Sequence, residues 1–274
     1  PIEARAVEYV WPILYAVFVW WAGTALVFML DQLPRRQHLR VMFGATLVLL
    51  AALWCVTLLD GRLTAGSAYA GFTCGVLVWA WQELAFLTGY VTGPNRRALP
   101  EGTEGFARFR AALGTVWHHE LAMLALGLAL LLLLWEAPNQ TALWTYLLLW
   151  VMRQSAKLNI FLGARNLGES MLPPHLGHLA SYFRRRHMNF LFPVSVTGGT
   201  IAAAWLGLQA AAAGDPFQLT ASTLLAALMA LAVIEHWFLM LPLPLDGLWT
   251  WGRPRASSSS PEARAKPGVL PLSP

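Results

Sequence analysis

The sequence predicts an all-α, polytopic membrane bundle, and three observations carry that prediction. Of the 274 residues, 57% are hydrophobic and only 12% charged, about half the ~25% charged share of a soluble domain. The apolar residues fall in blocks of about twenty, the length of helix that crosses a ~30 Å hydrocarbon core. Lysine and arginine gather in alternate connections between those blocks. With a mean hydropathy of +0.52, this excludes an ordinary soluble globule, a disordered chain and a disulfide-rich secreted scaffold.

Seven spans are expected. Tyr9–Leu30 lies between Glu8 and Asp31, is too long for a signal-peptide core, lacks a small-residue cleavage pattern and is expected to stay as an anchor. Leu39–Leu59 follows Arg35 and Arg36 and ends at Asp60, and Ala68–Val91 closes before Gly93-Pro94. Ala111–Trp135 follows Arg110, and Thr141–Gly163 ends at its glycine. Asn189–Ala211 follows the basic run Arg184–Arg186, and Leu219–Leu241 stops at Pro242. Residues 1–251 then form one membrane domain. Residues 252–274, with Ser257–Ser260 and several prolines, read as a disordered cytoplasmic tail.

Charge sets the orientation. One side collects Arg35, Arg36, Arg40, Arg96, Arg97, Arg108, Arg110, Arg165, Arg184, Arg185, Arg186, Arg253, Arg255, Arg264 and Lys266; the other holds only Arg5 and Arg62. Positively charged loops stay cytoplasmic, so the N-terminus is expected outside and the C-terminus inside. An even number of spans would destroy this asymmetry. The net charge of +5 is thereby explained by topology, with no nucleic acid needed as a partner.

The outer connections are short, so a working surface is expected on the cytoplasmic side or inside the bundle. In the longest inner connection, Ala164–Met188, residues Leu176, Leu179 and Phe183 recur at helical spacing before Arg184-Arg185-Arg186. That pattern reads as a short interfacial helix with a basic anchor for lipid headgroups or a partner. Cys55 and Cys74 read as two small buried hydrophobes toward one membrane face, which allows proximity or a bond. Gly71 and Gly75 form a GxxxG match that permits close helix approach.

Ionisable groups inside spans cost about 2.5–3.5 kcal/mol each at the helix centre on insertion scales, which makes them the first functional candidates. Eight occur here: Glu83, His118, His119, Glu120, Arg153, Lys157, Glu235 and His236, with the amide of Asn159 beside them. Counted at 1.5 Å per residue, Glu83, His118, Lys157 and Glu235 lie about 9–12 Å from the cytoplasmic ends of their spans, with Arg153 a turn deeper, in one shared layer. His118, His119 and Glu120 fan over 200°, so the fourth span should be central or these residues should line a wet cavity. The layer admits several readings. Three carboxylates could pair with Arg153 and Lys157, with histidines as neutral partners. A divalent metal could sit among His118, His119, Glu120, Glu83 and His236. A histidine could ligate haem or, by analogy, bacteriochlorophyll, and proton transfer is the fourth option. No nucleophile elbow, phosphate loop or H-E-x-x-H helix is present.

The blocks Trp81–Gly89, Trp117–Glu120, Lys157–Asn166, Ser181–Asn189 with Phe192-Pro193, and Glu235–Trp237 together resemble the PuhE family, photosynthetic complex assembly proteins of phototrophic bacteria. The resemblance covers roughly residues 1–250. It implies an inner (intracytoplasmic) membrane protein that helps build the reaction-centre and light-harvesting apparatus, with those subunits, the lipid bilayer and pigment as partners. It carries no catalytic residue; the matching polar residues mark the expected working region. The competing expectation is an intramembrane metal-dependent or tetrapyrrole-binding enzyme acting on a lipid-soluble pigment, quinone or isoprenoid. A transporter fits less well, since repeated halves and broken spans are missing.

Overall fold

A computed structural model describes residues 2–241; the tail expected to be disordered lies outside them. Among the described residues seven α-helices follow one another: α1 Ile2–Asp31, α2 Arg35–Leu59, α3 Ala65–Leu87, α4 Gly105–Leu133, α5 Thr141–Leu162, α6 Leu191–Ala212 and α7 Pro216–Met240. Each expected span has its helix. All but α5 are long and apolar enough to cross a membrane, the pattern of a multi-pass membrane protein. α5 falls short in composition because Arg153, Gln154, Ser155, Lys157 and Asn159 crowd its second half.

Local chemistry sets the ends. Thr64 and Ser67 cap α3 reciprocally, side chain to backbone N–H in both directions. Asp215 accepts the N–H of Gln218 at 2.9 Å and Pro216 opens α7. α3 stops at Leu87, four residues short of the expected end, because Gly89 takes a left-handed φ of +83°. α4 begins six residues earlier than expected, running on through Arg108 and Arg110.

The stretch that follows α3 then folds onto α4. Thr92 O accepts the N–H of His119 at 2.9 Å, and Asn95 N–H donates to Gly114 O at 3.0 Å. A Cβ on Gly93 would stand 2.2 Å from Gly114 O, so only glycine lets the two backbones meet.

α3 is the hub: two thirds of its most apolar stretch is buried, and α1, α2, α5 and α7 pack around it while α6 lies on α7. Phe72, Met123, Leu130, Tyr146, Leu224 and Leu228 are fully buried in the half of the bundle that holds the start of α3. Gly71 and Gly75 do bring α3 against the start of α5, at Thr141, Ala142 and Thr145. Cys55 and Cys74 are free thiols that interact with each other across α2 and α3. α4 is not the central helix. It lies at the edge against α5 and α3; of its polar fan, Glu120 lines a cavity, His119 is buried and His118 is exposed.

The inner connection departs from expectation in kind. It holds 3-10 helices at Glu169–Met171 and Pro174–Tyr182. With three residues per turn, Leu176, Leu179 and Tyr182 face inward together, where a 3.6-residue repeat would have chosen Phe183. The basic run lies beyond the helix, in extended backbone bridged to Ala164. Ala164 N–H donates to Arg184 O, and Arg186 N–H donates back to Ala164 O, both at 3.0 Å. Arg185 and Arg186 point to solvent and Arg184 is half-buried.

Candidate functional site

Four helices bring the expected charges to one level. Arg153 Nη2 donates to Glu83 Oε2 at 2.8 Å, joining α5 to α3. Lys157 Nζ donates to Glu120 Oε1 at 2.8 Å, joining α5 to α4, and Gln154 Nε2 donates to Glu120 Oε2 at 2.6 Å. The i,i+4 spacing of Arg153 and Lys157 lets one helix serve carboxylates on two neighbours. Glu235 breaks the expected pattern. It accepts a hydrogen bond from Trp20 Nε1 at 2.7 Å instead of pairing with a cation.

A neutral chain runs beside the charged pairs. His236 Nδ1 lies 2.8 Å from Ala232 O and its Nε2 lies 2.9 Å from Ser155 Oγ. A carbonyl only accepts, so Nδ1 carries the proton and Nε2 receives the hydroxyl of Ser155. Ser155 Oγ is 2.8 Å from Ser195 Oγ, and Asn159 Nδ2 donates to Ser195 Oγ at 3.0 Å. Asn189 closes the chain: its Nδ2 donates to Asn159 Oδ1 and Gly163 O, and its Oδ1 accepts the first N–H groups of α6. α5, α6 and α7 are thus joined without desolvating a charge.

The remaining candidates stand apart. His119 is fully buried, both ring nitrogens lack a hydrogen-bond partner, and its ring lies 4.7 Å from that of Phe86. His118 is exposed on the outer face of α4. Among the described residues no three of His, Cys, Asp and Glu converge as metal ligands. Of the residues weighed for a metal, Glu83 and Glu120 are engaged by Arg153 and Lys157, His236 by Ala232 and Ser155, and His118 and His119 stand apart from them.

The charged layer is the floor of a cavity of about 1060 Å³. Glu120, Arg153, Gln154, Lys157 and Glu235 reach it from below, while Arg165, Asn166, Glu169 and Arg185 stand at its mouth. This explains why charges are tolerated at membrane depth: Arg153, 41% exposed at its side chain, is exposed to the cavity. The 3-10 segment roofs it. Arg108, expected as a plain topology signal, is buried and fastens that roof. Its Nη2 donates to Phe161 O at 2.9 Å and Tyr182 O at 2.5 Å, and the guanidinium lies 3.8 Å over the Phe161 ring. Asn166 Nδ2 donates to Phe238 O and Leu241 O, tying the mouth to the end of α7. Burial holds the His178 imidazole in the roof below its ordinary range, and the positive charge of Arg96 acts the same way.

Trp20, Gln154, Ser155, Ser195 and Arg108 were not singled out from sequence as parts of the site. Gln154 and Ser155 carried a signal, since they adjoin Arg153 within a span. Trp20 read as apolar, Ser195 as an ordinary span residue and Arg108 as a topology charge.

Comparison with known proteins reaches the same region. Residues 6–260 match the family described as "Protein of unknown function (DUF3623)". A Rhodobacter capsulatus protein described as "Uncharacterized 30.4 kDa protein in puhA 5'region" is 37% identical over 265 residues, covering 94% of this chain and 96% of its own length. No solved structure matches the chain. The family match spans all seven helices, the charged floor and the roof of the cavity, in keeping with the resemblance carried by the polar blocks, and the chain belongs to the DUF3623 family.

Proposed function

We propose that this protein helps assemble a bacteriochlorophyll-containing photosynthetic complex, through transient contact with reaction-centre and light-harvesting subunits or their pigment. The observation that carries the reading is the place of its relative in the puhA 5' region, together with the resemblance implied by the polar blocks. A large cavity closed over by its own connection is a fitting place for a lipid-soluble component on its way to a complex. Deleting the gene is expected to lower reaction-centre and antenna complexes with no single blocked pigment precursor. Chromatography of pigment intermediates beside complex abundance checks this. One discrete accumulated precursor would replace the assembly reading with the enzymatic one.

The proposal includes topology: all seven helices cross the bacterial inner membrane, with the N-terminus periplasmic and the cavity mouth cytoplasmic. The asymmetry of arginine and lysine supports it. Reporter fusions after Arg97 and Arg186 are expected to read cytoplasmic, and fusions after Asn139 and Asp215 periplasmic. A periplasmic signal after Arg186 overturns the arrangement.

A further inference from the structure

Six phenylalanines line the cavity, and no two come from the same element. Phe28 is on α1, Phe86 on α3, Phe109 on α4, Phe161 on α5, Phe183 in the roof and Phe238 on α7. The volume of about 1060 Å³ stands at the upper end of small-molecule sites, which run from about 300 to 1,000 Å³. Aromatic walls on every side suit a flat conjugated ring, because ring faces and edges give specific contacts beyond area burial.

The two ends are polar but offer an anion different things. At the floor Glu120 and Glu235 balance Arg153 and Lys157, and both cations are already paired, Arg153 with Glu83 outside the lining and Lys157 with Glu120. At the mouth, Arg185 pairs with Glu169 at 3.3 Å. Arg165 Nη2 lies 2.6 Å from His187 Nδ1, and its Nε is buried with no partner. Arg165 is therefore a cavity-lining cation whose hydrogen-bonding fork is incompletely used. An anionic group belongs at the mouth, since the floor's cations are already paired. A fatty acyl chain fits poorly, because its terminal methyl would press on a charged floor.

We infer that the cavity binds a flat, conjugated amphiphile with a carboxylate on one edge, a tetrapyrrole acid in size and chemistry, its ring between the six phenylalanines and its carboxylate on Arg165. The inference deepens the assembly reading and takes its biological purpose from it, while the binding itself stands on the cavity.

The test uses the full chain reconstituted in lipid nanodiscs, titrated with protoporphyrin IX and with its dimethyl ester, and followed by quenching of tryptophan fluorescence. The diacid is expected to bind saturably at one site per chain and at least tenfold more weakly to Arg165→Gln. The ester is expected to bind the parent and Arg165→Gln alike. Ala156→Trp and Leu113→Trp, each filling the cavity from a different helix, are expected to lose both ligands while keeping the parent's helical circular dichroism. Excess palmitate is expected to leave the porphyrin bound. Equal, non-saturable uptake by parent and filled variants would overturn the site, and so would stoichiometric displacement by palmitate. Equal weakening of acid and ester in Arg165→Gln would overturn the role of that arginine. Absent binding beside lowered complexes in the deletion strain removes this inference alone. Saturable binding beside normal complexes sustains it and removes the assembly reading.

Discussion

Gly75→Leu is expected to abolish accumulation of the protein in membranes. A Cβ at that position would stand 2.7 Å from Ala142 O and 2.8 Å from Thr145 Cβ, so the obstacle includes backbone that no rotamer change can move. Overpacking ordinarily costs about 1–3 kcal/mol, and more where the neighbour cannot yield. The effect reaches the site because α3 and α5 run in the same direction. Glu83 and Arg153 each lie eight residues, about 12 Å, beyond Gly75 and Thr145, so prising the helices apart at the glycine opens the ion pair two turns away. Gly207→Leu is the control, since nothing lies within 4 Å of its Cβ. Immunoblots of membranes and melting in mild detergent check both, and equal levels of the two variants would refute the close α3–α5 seam.

Lys157→Met is expected to be strongly damaging on the cavity floor. It strands Glu120, whose side chain is 20% exposed against 24% for Lys157, leaving Gln154 as its remaining hydrogen-bond donor. Breaking one side of a buried pair costs about 3–5 kcal/mol in soluble proteins, and less in a membrane where the reference state finds other partners. Adding Glu120→Gln should recover most of the loss, because the stranded charge and not the missing contact dominates the penalty. Arg153→Leu should cost a comparable amount, since it strands Glu83, 15% exposed at its side chain, and Arg62→Leu should be near neutral. Failure of the double variant to melt above Lys157→Met alone would sink this account.

The helices were legible because bilayer thickness imposes a length on them, and twenty apolar residues state that length openly. The charged layer was legible for the complementary reason: a carboxylate or ammonium at that depth has to be compensated, so Glu83, Glu120, Arg153 and Lys157 announce themselves. What stayed hidden are interactions whose donors carry no such cost. Trp20 counts as apolar until its indole N–H meets Glu235, and Ser155 and Ser195 can satisfy themselves on their own helix before they bridge to another. Arg108 was misread for a related reason. A cation near a span end fits the topology rule whether it faces water or, as here, buries itself to hold two carbonyls. The cavity itself was beyond reach, since it is a place where side chains from six elements fail to meet, and no local pattern encodes that. The 3-10 roof escaped because Leu176 and Leu179 satisfy a three-residue and a 3.6-residue repeat equally, and only Tyr182 separates them.

In the topology proposed above, the one-sided distribution of polar groups also decides how the molecule would sit in an electric field. Water that reaches the cavity floor carries the potential of its own compartment with it, so a transmembrane voltage falls mainly across the packed half, where Phe72, Met123, Leu130, Tyr146, Leu224 and Leu228 leave no exposed surface. Carrying an elementary charge through the whole drop costs about 2.3 kcal/mol per 100 mV. In that topology a charged group entering the cavity crosses little of it, so filling and emptying the cavity would be uncoupled from the energised state of the membrane.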